Sequence, residues 1–316
     1  MISTLGPKTI ETHVFTEMPA QFRRTGIATE WARINKNGKL IDCFLEGPCF
    51  DAAGNLYVVD VPHGRIFRIA TNRNWNLVVE YDGEPNGLAL HPDGRIFIAD
   101  RKNGILAFDP GSGRVSPIVT RCNGERFKGV NDLTFDHRGD LYFTDQGQTG
   151  LHDPTGRVFR LRTNGSLDCL LSNGPSPNGL VLSADENVLF IAMTRDNSVW
   201  RVPLLQDGGV SKVGKFASFH GTSGPDGMAA DQLGNILLAH ASLGSVFALS
   251  PQGEVIARIQ SCCGTTTTNL AFGNADRQML YITESETGTV LTAAWSAAGL
   301  PLYGDMNRNS YDFPAT

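Results

Sequence analysis

Short apolar runs rich in β-branched and aromatic residues recur along the chain: LYVVD, RIFIAD, LYFTD, VLFIA, ILLAH and MLYIT. Each follows a turn signal (AAGN, PDGR, HRGD, ADEN, QLGN, ADRQ), and each turn follows a second short apolar stretch. That pattern predicts pairs of antiparallel strands. At one fixed slot, where the first strand of each pair begins, stands a polar residue: Glu46, Asn86, Asn131, Asn178, Asp226 and Thr268. Successive slots are 40, 45, 47, 48 and 42 positions apart. A period in the forties made of strands alone is the mark of a β-propeller.

A third strand is expected after each pair, at 64–70, 104–109, 156–162, 198–203, 244–250 and 288–294. NLVVEY, VSPIVT, LDCLLS, VGKFASF and EVIARIQ fit a fourth. The expected fold is all-β: a six-bladed propeller with four antiparallel strands per blade and a metal site in its central channel. One domain is expected over 1–316, with the blades at about 40–295. The segment GKLIDCFL (38–45) is expected to pair with the last blade and seal the ring. Residues 1–20 and the tail after Tyr303 are poorly patterned and expected to wrap the surface.

Composition narrows the function. Of 316 residues, 41% are hydrophobic and 19% charged, and 35 are glycines, as many tight turns require. A net charge of −5 gives no basic surplus for nucleic acid. No apolar run is long enough to span a bilayer, and MISTLGPKTIETHVF lacks the basic start and apolar core of a secretory signal. The six cysteines show no CxxC spacing, and reduced thiols in a cytoplasmic protein are expected. Monomer or small homo-oligomer both fit.

In a propeller the first strand of each blade lines the channel, so the six slots meet at one mouth. The loops from second to third strand open at the same mouth. They bring Asp60, His63, Asp100, Arg101, Asp145, Gln146, Met193, Arg195, His240 and Glu284. Glu46 and Asp226 carry two negative charges, and Asn131 and Asn178 can add amide oxygens. Such a set suits a hard divalent cation and leaves coordination positions open. Ca²⁺ is the first expectation, with Mn²⁺, Mg²⁺, Zn²⁺ and Fe²⁺ as further candidates. No His or Cys occupies a slot, which disfavours zinc. Asn86 and Thr268 are expected to support the ligands without touching the ion.

At these residues the chain resembles the senescence marker protein/gluconolactonase family, to which the drug-responsive lactonases and diisopropyl fluorophosphatase are related. The motifs are EGP at Glu46, ND at Asn131, PNG at Asn178, PDG at Asp226 and LYFTD ending at Asp145. The resemblance implies a divalent ion held by Glu46, Asn131, Asn178 and Asp226, and hydrolysis of lactones or, in some members, phosphotriesters. The chain departs from it at Gly129. Members that bind sugar lactones often carry an Arg there, two residues before the blade-three Asn. Lys128 and Arg101 are the candidate substitutes.

The expected chemistry is attack of water on a lactone or other ester, with Asp226 as general base or nucleophile. His240 is the alternative base. Asn131, Arg101, His240, Met193 and Gln146 are expected to line the substrate pocket, Met193 as an apolar wall. The competing readings are a phosphotriesterase at the same site and a non-enzymatic binding propeller. GxSxG and phosphate-loop patterns are absent, so a serine hydrolase and a nucleotide enzyme are not expected.

Overall fold

The computed structural model describes residues 6–306. Six sheets surround a channel. Blade 1 is Leu45–Phe50, Leu56–Asp60, Arg65–Ile69 and Trp75–Glu80, each strand antiparallel to the next. Blades 2 to 5 repeat the order, their inner strands being Pro85–Leu90, Val130–Phe135, Pro177–Leu182 and Pro225–Ala230. Blade 6 takes three consecutive strands, Thr267–Gly273, Met279–Glu284 and Thr289–Ala294.

The fourth strand of blade 6 comes from the other end of the chain. His13–Glu17 pairs antiparallel with Thr289–Ala294 and closes the ring. Lys8–Glu11 runs parallel to Val255–Gln260 and gives blade 5 a fifth strand. The expected closure by 38–45 is therefore corrected. Residues 38–44 form no strand, and Leu45 already begins blade 1. The residues of HVFTE are exposed or half-buried, so this outer strand carries no strong apolar alternation. The tail beyond residue 306 lies outside the described residues.

The turns between first and second strands follow their sequences. In AAGN, Gly54 takes φ +79°, a conformation that favours glycine. Blades 4 and 6 lack that glycine, and Glu186 and Arg277 take positive φ in its place. Apolar clusters fill the wedges between neighbouring blades. One unites Val59, Ile66, Ile98 and Phe108 of blades 1 and 2, and another unites Ala239, Val246, Ile282 and Leu291 of blades 5 and 6. No helix among the described residues is long and apolar enough to cross a membrane.

One short helix, Glu30–Asn35, interrupts the path from the closing strand to blade 1. Thr29 caps it, its hydroxyl oxygen accepting from the Ala32 amide at 3.2 Å. Trp31 is buried on Phe44, ring centroids 4.7 Å apart.

Candidate active site in the central channel

The predicted register is found in every blade. The residue before each slot pairs with the last residue of the second strand: Leu45 with Asp60, Pro85 with Asp100, Val130 with Asp145, Pro177 with Met193, Pro225 with His240 and Thr267 with Glu284. Just inside that point each inner strand carries a β-bulge, in the six intervals Glu46/Cys49, Pro85/Leu88, Val130/Leu133, Pro177/Leu180, Pro225/Met228 and Thr267/Asn269. A bulge breaks strict alternation, so two consecutive side chains can turn to the same side.

The bulge brings in two residues that the sequence reading missed, Asp132 and Asn269. Asn269 Nδ2 donates to Glu46 Oε2 at 3.0 Å and, more weakly, to Asp132 Oδ2 at 3.5 Å. Blades 1, 2, 4 and 5 have glycine at the matching position. A Cβ on Gly87 would fall 2.2 Å from Asp132 Oδ1, and one on Gly227 only 2.0 Å from Asn269 Oδ1. The glycines leave the axis to those two side chains. The available signal was the departure of ND and TN from the recurrent polar-Gly pair.

Glu46 is 4% exposed, Asn178 6%, and Asn131, Asp132 and Asp226 8% each. Glu46 Oε2 also accepts from the Gly47 amide at 2.6 Å. Asp226 accepts a hydrogen bond from the Asn178 side chain. Asn131 Nδ2 donates to Gln146 Oε1 at 3.0 Å, which leaves Asn131 Oδ1 as its free acceptor. Gln146 Nε2 in turn donates to Ser176 Oγ at 3.0 Å.

Three carboxylates thus share one desolvated space. Burial, then Asp226 and Asp132, push Glu46 well above the usual carboxylate range. Burial raises Asp132 to about 7. Burial, reinforced by Asp132, raises Asp226 to about 7. A divalent cation would relieve that repulsion, and the donors are all hard oxygens. The donor set therefore fits such an ion. Among the described residues no group of three His, Cys, Asp or Glu side chains is arranged to hold a metal by itself.

The remaining expected residues divide. Arg101 is half-buried at the mouth, its Nε 4.0 Å from Glu84 Oε2, and its side chain lies over Gly129. A Cβ on Gly129 would stand 3.0 Å from Arg101 Cγ and 3.3 Å from Nε. Arg101 thus fills space that a side chain at 129 would need. Asn86 is half-buried. Thr268 bonds the Leu45 carbonyl at 3.0 Å, so it fixes the strand that carries Glu46.

His240 and Met193 do not line the channel. His240 is 0% exposed, set between Phe219 and Phe247, with Nε2 3.3 Å from Asn197 Oδ1. Burial draws it down to about 4, and its Nδ1 has no hydrogen-bond partner. Met193 packs with Tyr142, Val158 and Leu189 in the wedge between blades 3 and 4. Both end a second strand, and there the side chain turns into the blade. The acids at the same position behave alike. Asp60 binds Arg65 (Nε–Oδ2 2.9 Å), Asp100 accepts from Tyr81 (2.8 Å), Asp145 from the Gly129 amide (2.8 Å), and Glu284 from the Thr287 amide (2.9 Å). They tie the rim loops together. All six cysteines are free thiols, and the Cys262 and Cys263 sulfurs are 3.9 Å apart.

These features define a six-bladed propeller whose channel holds a cluster of carboxylates and amides. Residues 44–286 match the family described as SMP-30/Gluconolactonase/LRE-like region, and the chain belongs to it. It is 30% identical over 272 residues to a gluconolactonase of Zymomonas mobilis, covering 76% of each chain. To the lactonase drp35 of Staphylococcus saprophyticus it is 29% identical over 247 residues, covering 74% of each. In structure it resembles a calcium-binding protein, regucalcin, from Agrobacterium tumefaciens. The TM-score is 0.73 at 21% identity, over 94% of this chain and 99% of that one, a likeness of fold.

Proposed function

We propose that this protein is a divalent-cation-dependent lactonase. The observation that carries the reading is the meeting of Glu46, Asn178 and Asp226, from three blades, in the channel of a chain belonging to this family. The gluconolactonase and lactonase names of its relatives support the ester chemistry. The calcium-binding regucalcin of the same fold favours Ca²⁺ as the first ion to try.

Glu46, Asn178 and Asp226 would hold the ion, with Asn131 Oδ1 beside them. A cation bound there supplies Lewis-acid polarisation of the lactone carbonyl. Asp226 takes the proton of the attacking water as its oxygen bonds to the carbonyl carbon. The ring C–O bond then breaks, and the departing alkoxide oxygen receives that proton. Asn131, held by Gln146, orients the ring. Arg101, seated over Gly129, contacts a hydroxyl or carbonyl at the outer edge of the substrate.

The test is proton release from a panel of sugar, aliphatic and aromatic lactones, before and after chelation. Turnover that disappears with chelator and returns with one added divalent ion is the expected result. A cation-loaded protein inert on the whole panel would overturn the reading.

A further inference from the structure

The helix Glu30–Asn35 touches the rim at more than one blade. It packs on the turn Val61–His63 of blade 1. Glu30 is felt by Glu84, at the start of blade 2. Asn35 Oδ1 accepts from Gln148 Nε2 of blade 3 at 3.2 Å. Lys36, which ends the helix, is within electrostatic reach of Asp226 of blade 5, Arg195 of blade 4 and Glu286 of blade 6. The helix thus bridges blade 1 and blade 3 and roofs that part of the rim, and the charge that ends it is felt at Asp226 in the channel. The buried Trp31 holds it there.

The Lys36 ammonium lies 4.3 Å from the Phe44 ring centroid and 5.8 Å from that of Trp31. Contact with aromatic faces holds a cation in place without neutralising it. Among the described residues Lys36 has no ion-pair partner within 4.0 Å. Arg195 is exposed, and its charge is felt both at Lys36 and at Asp226. Glu286, the acid on that side, is already engaged by the Thr265 amide at 2.7 Å and by its hydroxyl at 3.1 Å. Two cations therefore act on Asp226, one of them fixed against the aromatic rings of Trp31 and Phe44.

We propose that Lys36, assisted by Arg195, is a specificity-determining element that recognises an anionic substituent, a carboxylate above all, on the substrate. The preferred substrates are then lactones that bear a carboxylate outside the ring. The inference rests on the lactonase reading. The substrate's ring carbonyl sits in the channel and its anionic arm points to the roof. An ammonium–carboxylate contact away from bulk water is among the stronger hydrogen bonds a protein makes.

The experiment compares a neutral five-membered lactone with the same ring bearing a carboxylate, using cation-loaded full-length protein and its Lys36→Met and Lys36→Arg variants. In Lys36→Met, the ratio of KM for the acidic to the neutral lactone should rise about ten-fold, with Lys36→Arg restoring much of it. Calorimetric binding of the ring-opened hydroxydicarboxylate should weaken by a similar factor. An unchanged KM ratio and unchanged binding would show that Lys36 is only a strut of the roof. If the parent protein opens neither lactone, the wider panel decides the lactonase reading, and the calorimetric comparison decides the role of Lys36 by itself. Loss of binding in Lys36→Met then upholds anion recognition, and equal binding overturns it.

Discussion

Asn269 of blade 6 and Asp132 of blade 3 stand on opposite sides of the ring, yet Asn269 Nδ2 lies 3.5 Å from Asp132 Oδ2 and 3.0 Å from Glu46 Oε2. One amide thus bridges two carboxylates that burial makes mutually repulsive. It holds Glu46 through Oε2, the oxygen that also accepts from the Gly47 amide. Replacing Asn269 by Ala should weaken divalent-cation binding about 10–100-fold, as loss of a ligand-orienting partner does. Calorimetric titration would measure it, and unaltered affinity would remove Asn269 from this role.

Asp226→Asn keeps the size of the side chain but replaces one acceptor oxygen by a donor NH2 and removes the charge and the proton acceptor. Lactone turnover should fall about 10²–10⁴-fold with the circular dichroism spectrum retained. Full activity in this variant would place the base elsewhere.

The cation-free protein should lose stability as pH rises from about 4 to 7. Asp132 and Asp226 titrate near 7 when folded and near the ordinary aspartate value when unfolded. In that window the folded state binds more protons, so raising the pH favours unfolding. A bound cation replaces the protons and should flatten the trend. Urea midpoints at pH 4.5 and 7.5, with chelator and with saturating Ca²⁺, test this. Asp132→Asn should show the shallower slope in chelator, and a midpoint that climbs with pH in the chelated parent would contradict the argument.

Asp60 and Arg65 are 0% and 1% exposed, and Arg65 Nη1 also reaches the Phe22 carbonyl at 2.7 Å. Asp60→Ala strands a buried guanidinium and should cost about 3–5 kcal/mol in equilibrium unfolding. A cost near zero would mean that solvent reaches Arg65.

Removal of residues 1–17 uncovers the edge of Thr289–Ala294, which His13–Glu17 normally covers. Unpaired edges recruit other chains. The truncated protein should melt earlier and associate on a sizing column. A monomer of unchanged stability would show that closure by this strand is dispensable.

The strand periodicity, the turn signals and the forty-odd-residue spacing of the slots determined the blade number, the register and the inner-strand starts that carry Glu46, Asn131, Asn178 and Asp226. Those are local patterns: each blade repeats the same short-range hydrogen bonding, so one sequence period reports one blade. Three matters were decided by tertiary structure alone. The bulges break the alternation of side chains, and only then can Asp132 and Asn269 share the channel with the slots. Strand ends turn His240 and Met193 into the blade wedges, a direction that residue type does not encode. Closure by His13–Glu17 and the seating of the helix that ends at Lys36 depend on contacts between parts of the chain more than a hundred residues apart, where edge pairing leaves no periodic trace in the sequence.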